Sequence, residues 1–320
     1  MKKLKTIKTS NNITLKEGYD EFINYCKINN YSEYTIKHYK YAYRTFRNIL
    51  LNVPEIQNVL TDDFLLSDIN LSVVNKIILY WRNNGIENVT LNSYVTDLRR
   101  FINFWIDQGY VVPFQISSPK VTKTRKDTYS EEELQKLLKK PNLKKCSFNE
   151  YTTYIIENIL VSTGLRATSL INIKICDVDL NQGVIYVRKT KNRQLLSVPI
   201  SRQLISLLKE FIRIREPKDN DDWLICNAYG EQLKRDILYR HIAKYNKSRG
   251  VSSVGVHKFR HTFAKQWIIS GGSVVTLSKI LGHSNIGITD RYINMLVDDI
   301  KKNVDEVDIL SRFNKQKKRL

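Results

Sequence analysis

The sequence predicts a mainly α-helical chain in two units, with a small β-sheet or hairpin confined to the second. Three observations carry this reading. Apolar residues recur at three- and four-residue spacing between Thr14 and Gln108, the period of an amphipathic helix. The stretch 113–128 then breaks the pattern with Pro113, Pro119, Ser117-Ser118 and a concentration of Lys120, Lys123, Arg125 and Lys126. Between Val184 and Ile200 the period changes to that of a strand before helical spacing returns. A length of 320 residues suits two domains better than one or three. The expected boundaries are a loose basic N-terminus over 1–12, a helical unit over 13–112, a basic linker over 113–128 and a second unit over 129–320.

Thr14-Leu15-Lys16-Glu17 has the form of a capping box, and Tyr19, Phe22, Ile23 and Cys26 line the apolar side of the helix behind it. Ser32 can cap a second helix, with Tyr39, Tyr43, Phe46 and Leu50 on one face and Lys37, Lys40, Arg44 and Arg47 on another. Pro54 and Asp62-Asp63 interrupt. A third helix is expected over Ser72–Arg82, ended by Asn83-Asn84-Gly85, and a fourth over Thr90–Gln108, with Leu98, Phe101, Ile102 and Trp105 inward and Gly109 as its stop. Tyr31, Tyr34, Tyr39, Tyr41 and Tyr43 stand among basic residues; each is either a core residue with a wet hydroxyl or a ring laid against a polyanion. In the second unit Ser130 caps a helix with an acidic first turn, Glu131-Glu132-Glu133, as the helix dipole favours. Tyr151–Ser162 reads as an apolar helix. Val184–Val187 and Leu195–Ile200 flank a polar turn at Lys189–Arg193, a hairpin with a basic tip. Ser201–Arg215 is helical again, and Pro217 and Asp219–Asp222 form a loop.

The formal net charge of +20 far exceeds what solubility asks of a small domain and points to a polyanionic partner, nucleic acid first. Cys26, Cys146, Cys176 and Cys226 are far apart and form no CxxC pair; they read as reduced, buried residues. No apolar run is long enough to span a bilayer, and no hydrophobic signal core follows the basic start. Neither a phosphate-binding glycine loop nor an Asp/Glu or Cys/His cluster at metal-ligand spacing stands in the sequence, so no cofactor and no metal are expected.

The chemistry concentrates between His257 and Tyr292. His257 and Arg260 lie three apart, on one face of a helix that Gly271-Gly272 stops. Ser273 can cap the next helix, which ends at Gly282, with His283 just past that end and Tyr292 nine residues further on, on a third helix. Two imidazoles, a guanidinium and a phenol suit chemistry on a phosphodiester. Its transition state gathers negative charge on the equatorial oxygens, which planar, permanently charged guanidiniums match better than lysines. A phenol needs cations or a base before it attacks near neutral pH, and an imidazole titrates where it can carry the proton.

Thr163-Gly164-Leu165-Arg166, Lys191 on the hairpin, His257-x-x-Arg260, Leu281-Gly282-His283 and Tyr292 follow one another in an order and spacing that resembles the tyrosine recombinases, the phage-integrase family with its Xer-like members. Each box alone is weak; in register they are specific. The resemblance covers nearly the whole chain and implies a two-domain DNA clamp, with a helical, SAM-like core-binding domain ahead of a mixed α/β catalytic domain. It implies that Tyr292 attacks a DNA phosphate and leaves a 3′-phosphotyrosyl link, without ATP or metal. Arg166 and Arg260 hold the non-bridging oxygens, Lys191 protonates the departing 5′-oxygen, and His257 and His283 assist proton transfer and phosphate binding. Lys189 competes for the lysine's role, but counting back from Val198-Pro199 favours Lys191. His261 is expected to support its neighbours. Ser169 departs from the family, which usually has an acidic residue there. Met295-Leu296-Val297, Ile300, Val304, Val307 and Ile309-Leu310 need covering, by a helix packed on its own domain or, as the resemblance favours, by a C-terminal helix docked into a neighbouring protomer. The partners implied are double-stranded DNA with recombination sites, a homo-tetramer on that DNA and accessory DNA-bending or directionality proteins, at a cytoplasmic, nucleoid-associated location. Two other readings compete: a helix-turn-helix regulator without catalysis over Phe263–Leu281, and a type IB-like topoisomerase. The target sequence is not legible, because phosphate contacts carry no base information.

Overall fold

A computed structural model describes residues 13–52, 64–119, 127–188, 195–252 and 255–283. The stretches 1–12, 53–63, 120–126, 189–194, 253–254 and 284–320 lie outside the described residues, and with them the N-terminal segment, the break at Pro54, the middle of the connecting stretch, the hairpin tip and the helix expected after Tyr292. The chain divides into two compact units, Met1–Lys123 and Thr124–Leu320.

The first unit holds helices α1 (Leu15–Ile28), α2 (Glu33–Asn52), α3 (Leu71–Asn83) and α4 (Asn88–Asp107). The capping box forms as expected: Glu17 N–H donates to the Thr14 hydroxyl, and the Thr14 backbone N–H donates to the Glu17 carboxylate. Ser32 accepts from Thr35 N–H at 3.1 Å. The third helix begins one residue earlier than the sequence suggests, because Asn70 accepts from Val73 N–H and a side-chain amide is as good a cap as a hydroxyl. The fourth begins at Asn88, two residues before the expected Thr90, with no side-chain cap to signal its start. Leu91, Val95, Leu98, Phe101, Ile102 and Trp105 are all buried along α4, and the rings of Phe22, Phe101 and Phe104 meet edge to face at its centre. Gly18 is required there: a Cβ would overlap Leu66 and the Trp105 indole, whose Nε1 donates to the Gly18 carbonyl at 2.9 Å.

The tyrosines divide. Tyr43 is buried and stacked on Tyr19, Tyr31 and Tyr39 are half-buried, and Tyr34 and Tyr41 are 72% and 64% exposed on α2 with Lys37, Lys40 and Arg44. Beyond α4, Phe114 and Ile116 pack on the same core, and Arg99 Nη2 donates to the Ile116 carbonyl and the Ser118 hydroxyl.

The second unit is built around α6 (Phe148–Thr163), capped by Ser147 and buried on almost every side. A helix apolar all round has to be surrounded, and α8 (Arg202–Arg215), α9 (Arg235–Ser248) and α10 (Val256–Ile269) surround it. Helix α5 (Glu131–Leu137) precedes it, and the short α7 (Ala167–Leu170) follows. The strands β1 (Val178–Asp179), β2 (Val184–Val187) and β3 (Leu196–Pro199) form an antiparallel sheet in the order β1-β2-β3, with Val184 opposite Pro199 and Val187 opposite Leu196. Ile185, Val187 and Val198 face the core. Helix α11 (Val274–Leu281) closes the described chain. Of the cysteines, Cys26 and Cys226 are buried, Cys146 is half-buried and Cys176 is exposed, so burial does not hold for all four.

Candidate active site

Two helix ends build the site. The last carbonyls of a helix have no partner within it and carry the negative end of its dipole, so they attract cations. Helix α6 ends at Gly164 in the left-handed conformation, φ 63°. A Cβ at Gly164 would strike the side chains of Phe263 and Leu281, so both space and backbone demand glycine. Helix α11, capped by Ser273, ends in the same way at Gly282, φ 61°.

The arginines meet at these two ends. Arg166 leads off α7 in an extended conformation and is half-buried; its Nη1 donates to the Leu281 carbonyl at 3.2 Å. Arg260, on α10 and only 5% exposed, donates through Nη1 to the Gly164 carbonyl and through Nη2 to the Leu281 carbonyl, each at 2.8 Å. One carbonyl therefore receives both guanidiniums, which come from segments almost a hundred residues apart. Arg260 Nη2 also lies 2.7 Å from His283 Nε2. Because a guanidinium only donates, His283 accepts at Nε2 and carries its proton on Nδ1. Burial, reinforced by the positive charges of Arg260 and Arg166, pushes its pKa down to about 4. The imidazole is thus neutral at pH 7 and does not titrate near neutrality in the free site, unlike the expectation from an isolated histidine.

His257 stands exposed on the first turn of α10, one turn before Arg260. His261 is half-buried on the same helix, and Ser169 is buried in α7. Leu196, at the start of β3, lies 3.3 Å from where a Cβ of Gly282 would stand, so the sheet is seated against the end of α11. Lys191, its competitor Lys189, and Tyr292 lie outside the described residues. The structure thus brings Arg166, Arg260 and His283 together, with His257 on the same helix as Arg260. The carbonyls of Gly164 and Leu281 are not singled out by the sequence, which marks the end of α11 at Gly282 but reads the helix before Gly164 only as far as Ser162. Among the described residues no group of His, Cys, Asp and Glu is placed to hold a metal ion, and no helix is long and apolar enough to cross a membrane.

Two guanidiniums thus stand beside a neutral imidazole where two helices end. The model of the phage integrase family matches residues 128–298, more than half of the chain. The chain belongs to that family: it is a tyrosine recombinase, an enzyme of site-specific DNA recombination. Tyrosine recombinase XerC of Staphylococcus epidermidis is 27% identical over 279 residues, spanning 85% of this chain and 90% of the relative. The XerC of Staphylococcus aureus (strain bovine RF122 / ET3-1) is 28% identical over 291 residues, 88% of this chain and 93% of the relative. Among solved structures, the Tn1549 transposon integrase in complex with a circular intermediate DNA superposes with a TM-score of 0.68 at 19% identity, covering 91% of this chain and 99% of that one. A lambda integrase dimer bound to a COC′ core site gives 0.67 at 17% identity, covering 90% and 79%. At such identities these likenesses speak for the fold, mainly helical with one small antiparallel sheet.

Proposed function

We propose that this chain cuts and rejoins DNA at defined sites through a covalent 3′-phosphotyrosyl intermediate. The observation that carries the reading is the shared Leu281 carbonyl, which gathers Arg166 and Arg260 beside His283. Two fixed guanidiniums offer their donors to the non-bridging oxygens and stabilise the charge that grows on them in the transition state. Tyr292 Oη attacks phosphorus as its proton leaves, the bond from phosphorus to the 5′-oxygen breaks, and Lys191 gives that oxygen a proton. The 5′-hydroxyl of a partner strand reverses the step and releases the tyrosine. One phosphate ester replaces another, so the step balances without nucleotide hydrolysis. His283, neutral in the free site, can donate from Nδ1 without adding a positive charge; a bound phosphate draws its pKa upward. His257, exposed on the turn before Arg260, is the second imidazole able to move a proton.

The first unit supplies a DNA grip through Lys37, Lys40 and Arg44 on the exposed face of α2, and the two units together work as a clamp. The relatives whose structures were solved as a dimer on a core site and as a tetramer on a Holliday junction support a homo-tetramer as the working form. The C-terminal segment after Tyr292 is proposed to pass to a neighbouring protomer.

The test uses a nicked suicide duplex bearing the sequence that the wild-type chain retains from a random DNA pool. Wild type is expected to accumulate a covalent protein–DNA adduct, in EDTA as well as in magnesium. Tyr292→Phe is expected to bind the duplex and form none. Adducts that persist in Tyr292→Phe would refute the assignment of the nucleophile.

A further inference from the structure

Helix α10 has a second set of side chains that the reaction above does not use. Lys258, between His257 and Arg260, is 9% exposed. Its Nζ lies 3.0 Å from Asp127 Oδ2, 3.5 Å from Glu133 Oε2 and 4.5 Å from the centre of the Tyr129 ring. That ring packs on Phe259 at 4.5 Å. Tyr129 N–H donates to the Thr262 hydroxyl at 2.9 Å, which donates to the Lys258 carbonyl at the same distance. Glu133 also accepts from Ser130 N–H at 2.9 Å, so the carboxylate that receives the ammonium fixes the first turn of α5 as well. The segment 127–133 is thus fastened to α10 within a turn of Arg260, and it is the first described part of the second unit after the stretch 120–126.

We propose that Lys258 is a positioning residue for the recombination reaction: it locks α10 against the segment 127–133 and so sets where Arg260 and His257 stand relative to the scissile phosphate. This rests on the reading of Arg260 as a phosphate ligand. The ammonium itself is held by two carboxylates and a ring face, so its charge serves the framework. A buried ammonium holds to its carboxylates, because losing both would leave its charge uncompensated. The lock therefore has one good geometry, and Arg260, two residues on, inherits it. Transition-state stabilisation depends steeply on that placement. The attachment also gives the connecting stretch a direct hold on the catalytic helix.

The experiment measures single-turnover adduct formation on the nicked duplex at saturating DNA, and the Kd for the intact duplex, with the full chain. Lys258→Met is expected to slow adduct formation roughly 10–100-fold, the scale of a small misplacement of a catalytic group. Its Kd should stay within about twofold of wild type, as for an interaction that matters only in the transition state. Lys258→Arg, which keeps the charge for both carboxylates, is expected to recover most of the rate. Should Lys258→Met fail to fold, Glu133→Gln weakens the same lock while still accepting from Ser130, and is expected to slow the step in a folded protein. A wild-type rate in Lys258→Met, or equal slowing in Lys258→Met and Lys258→Arg, overturns the inference. Absence of adducts with the wild-type chain overturns the transesterification reading and this inference with it; wild-type adducts with an unaffected Lys258→Met overturn this inference alone.

Discussion

Arg260 donates in three directions at once, to the Gly164 carbonyl, the Leu281 carbonyl and His283. A lysine has the charge but not the planar fork. Arg260→Lys is therefore expected to lower single-turnover cleavage by about 10²–10³-fold, the usual cost of removing one oxyanion donor. Two titrating groups, the half-buried His283 and the buried Glu157, give opposite dependences of stability on pH. His283, with its pKa near 4 in the folded chain against about 6.5 unfolded, leaves the unfolded chain with the extra proton between those values. Its contribution is present above about pH 6.5 and is lost as pH falls through the folded value, and His283→Gln should flatten that acid limb in urea titrations. Glu157 is wholly buried on α6, with neither carboxylate oxygen hydrogen-bonded among the described residues, and burial holds its pKa well above the usual range against the pull of Arg249. Its folded form stays protonated while the unfolded chain ionises above about pH 4.3. Stability is fully present below that pH and is lost as pH rises through the folded value. Glu157→Gln should accordingly raise the urea midpoint at pH 7 and change it little at pH 4; an equal loss at both would contradict the assignment.

At the scale of elements, the C-termini of α6 and α11 do the positioning. Gly164→Ala combines a left-handed backbone with overlap against Phe263 and Leu281. It is expected to cost about 2–5 kcal/mol, the sum of conformational strain and overpacking, visible as a lowered urea midpoint. The end of α11 is legible because Ser273 caps its start and Gly282 stops it; the end of α6 at Gly164 is read two residues short, at Ser162. Helix α9 went unassigned although Leu238, Ile242 and Tyr245 recur at helical spacing. Its polar composition masked the pattern, and Lys234 gives no side-chain cap at its start. Strand β1 is two residues long and exists only through its pairing with β2, which no local pattern announces. The arginines and histidines of the site stood out by spacing. The depressed pKa of His283 and the shared Leu281 carbonyl did not, because burial and convergence belong to tertiary structure.

At the scale of the whole molecule, the net charge of +20 and the basic face of α2 make binding to DNA a matter of phosphate neutralisation. If the clamp covers about six to ten phosphates, its affinity should fall roughly 10³–10⁵-fold between 50 and 200 mM salt. A weak salt slope would mean that the charge serves something else. The central claim is narrower, that side chains from separated segments act on one scissile phosphate. Proteolysis of the trapped adduct followed by mass spectrometry tests it most directly. The expected product is a nucleotide joined through its 3′-phosphate to the peptide containing Tyr292, formed by wild type and lost when Arg166 and Arg260 are both changed to alanine. An adduct on another residue, a 5′-phosphate linkage, or undiminished adducts in that double variant would contradict it.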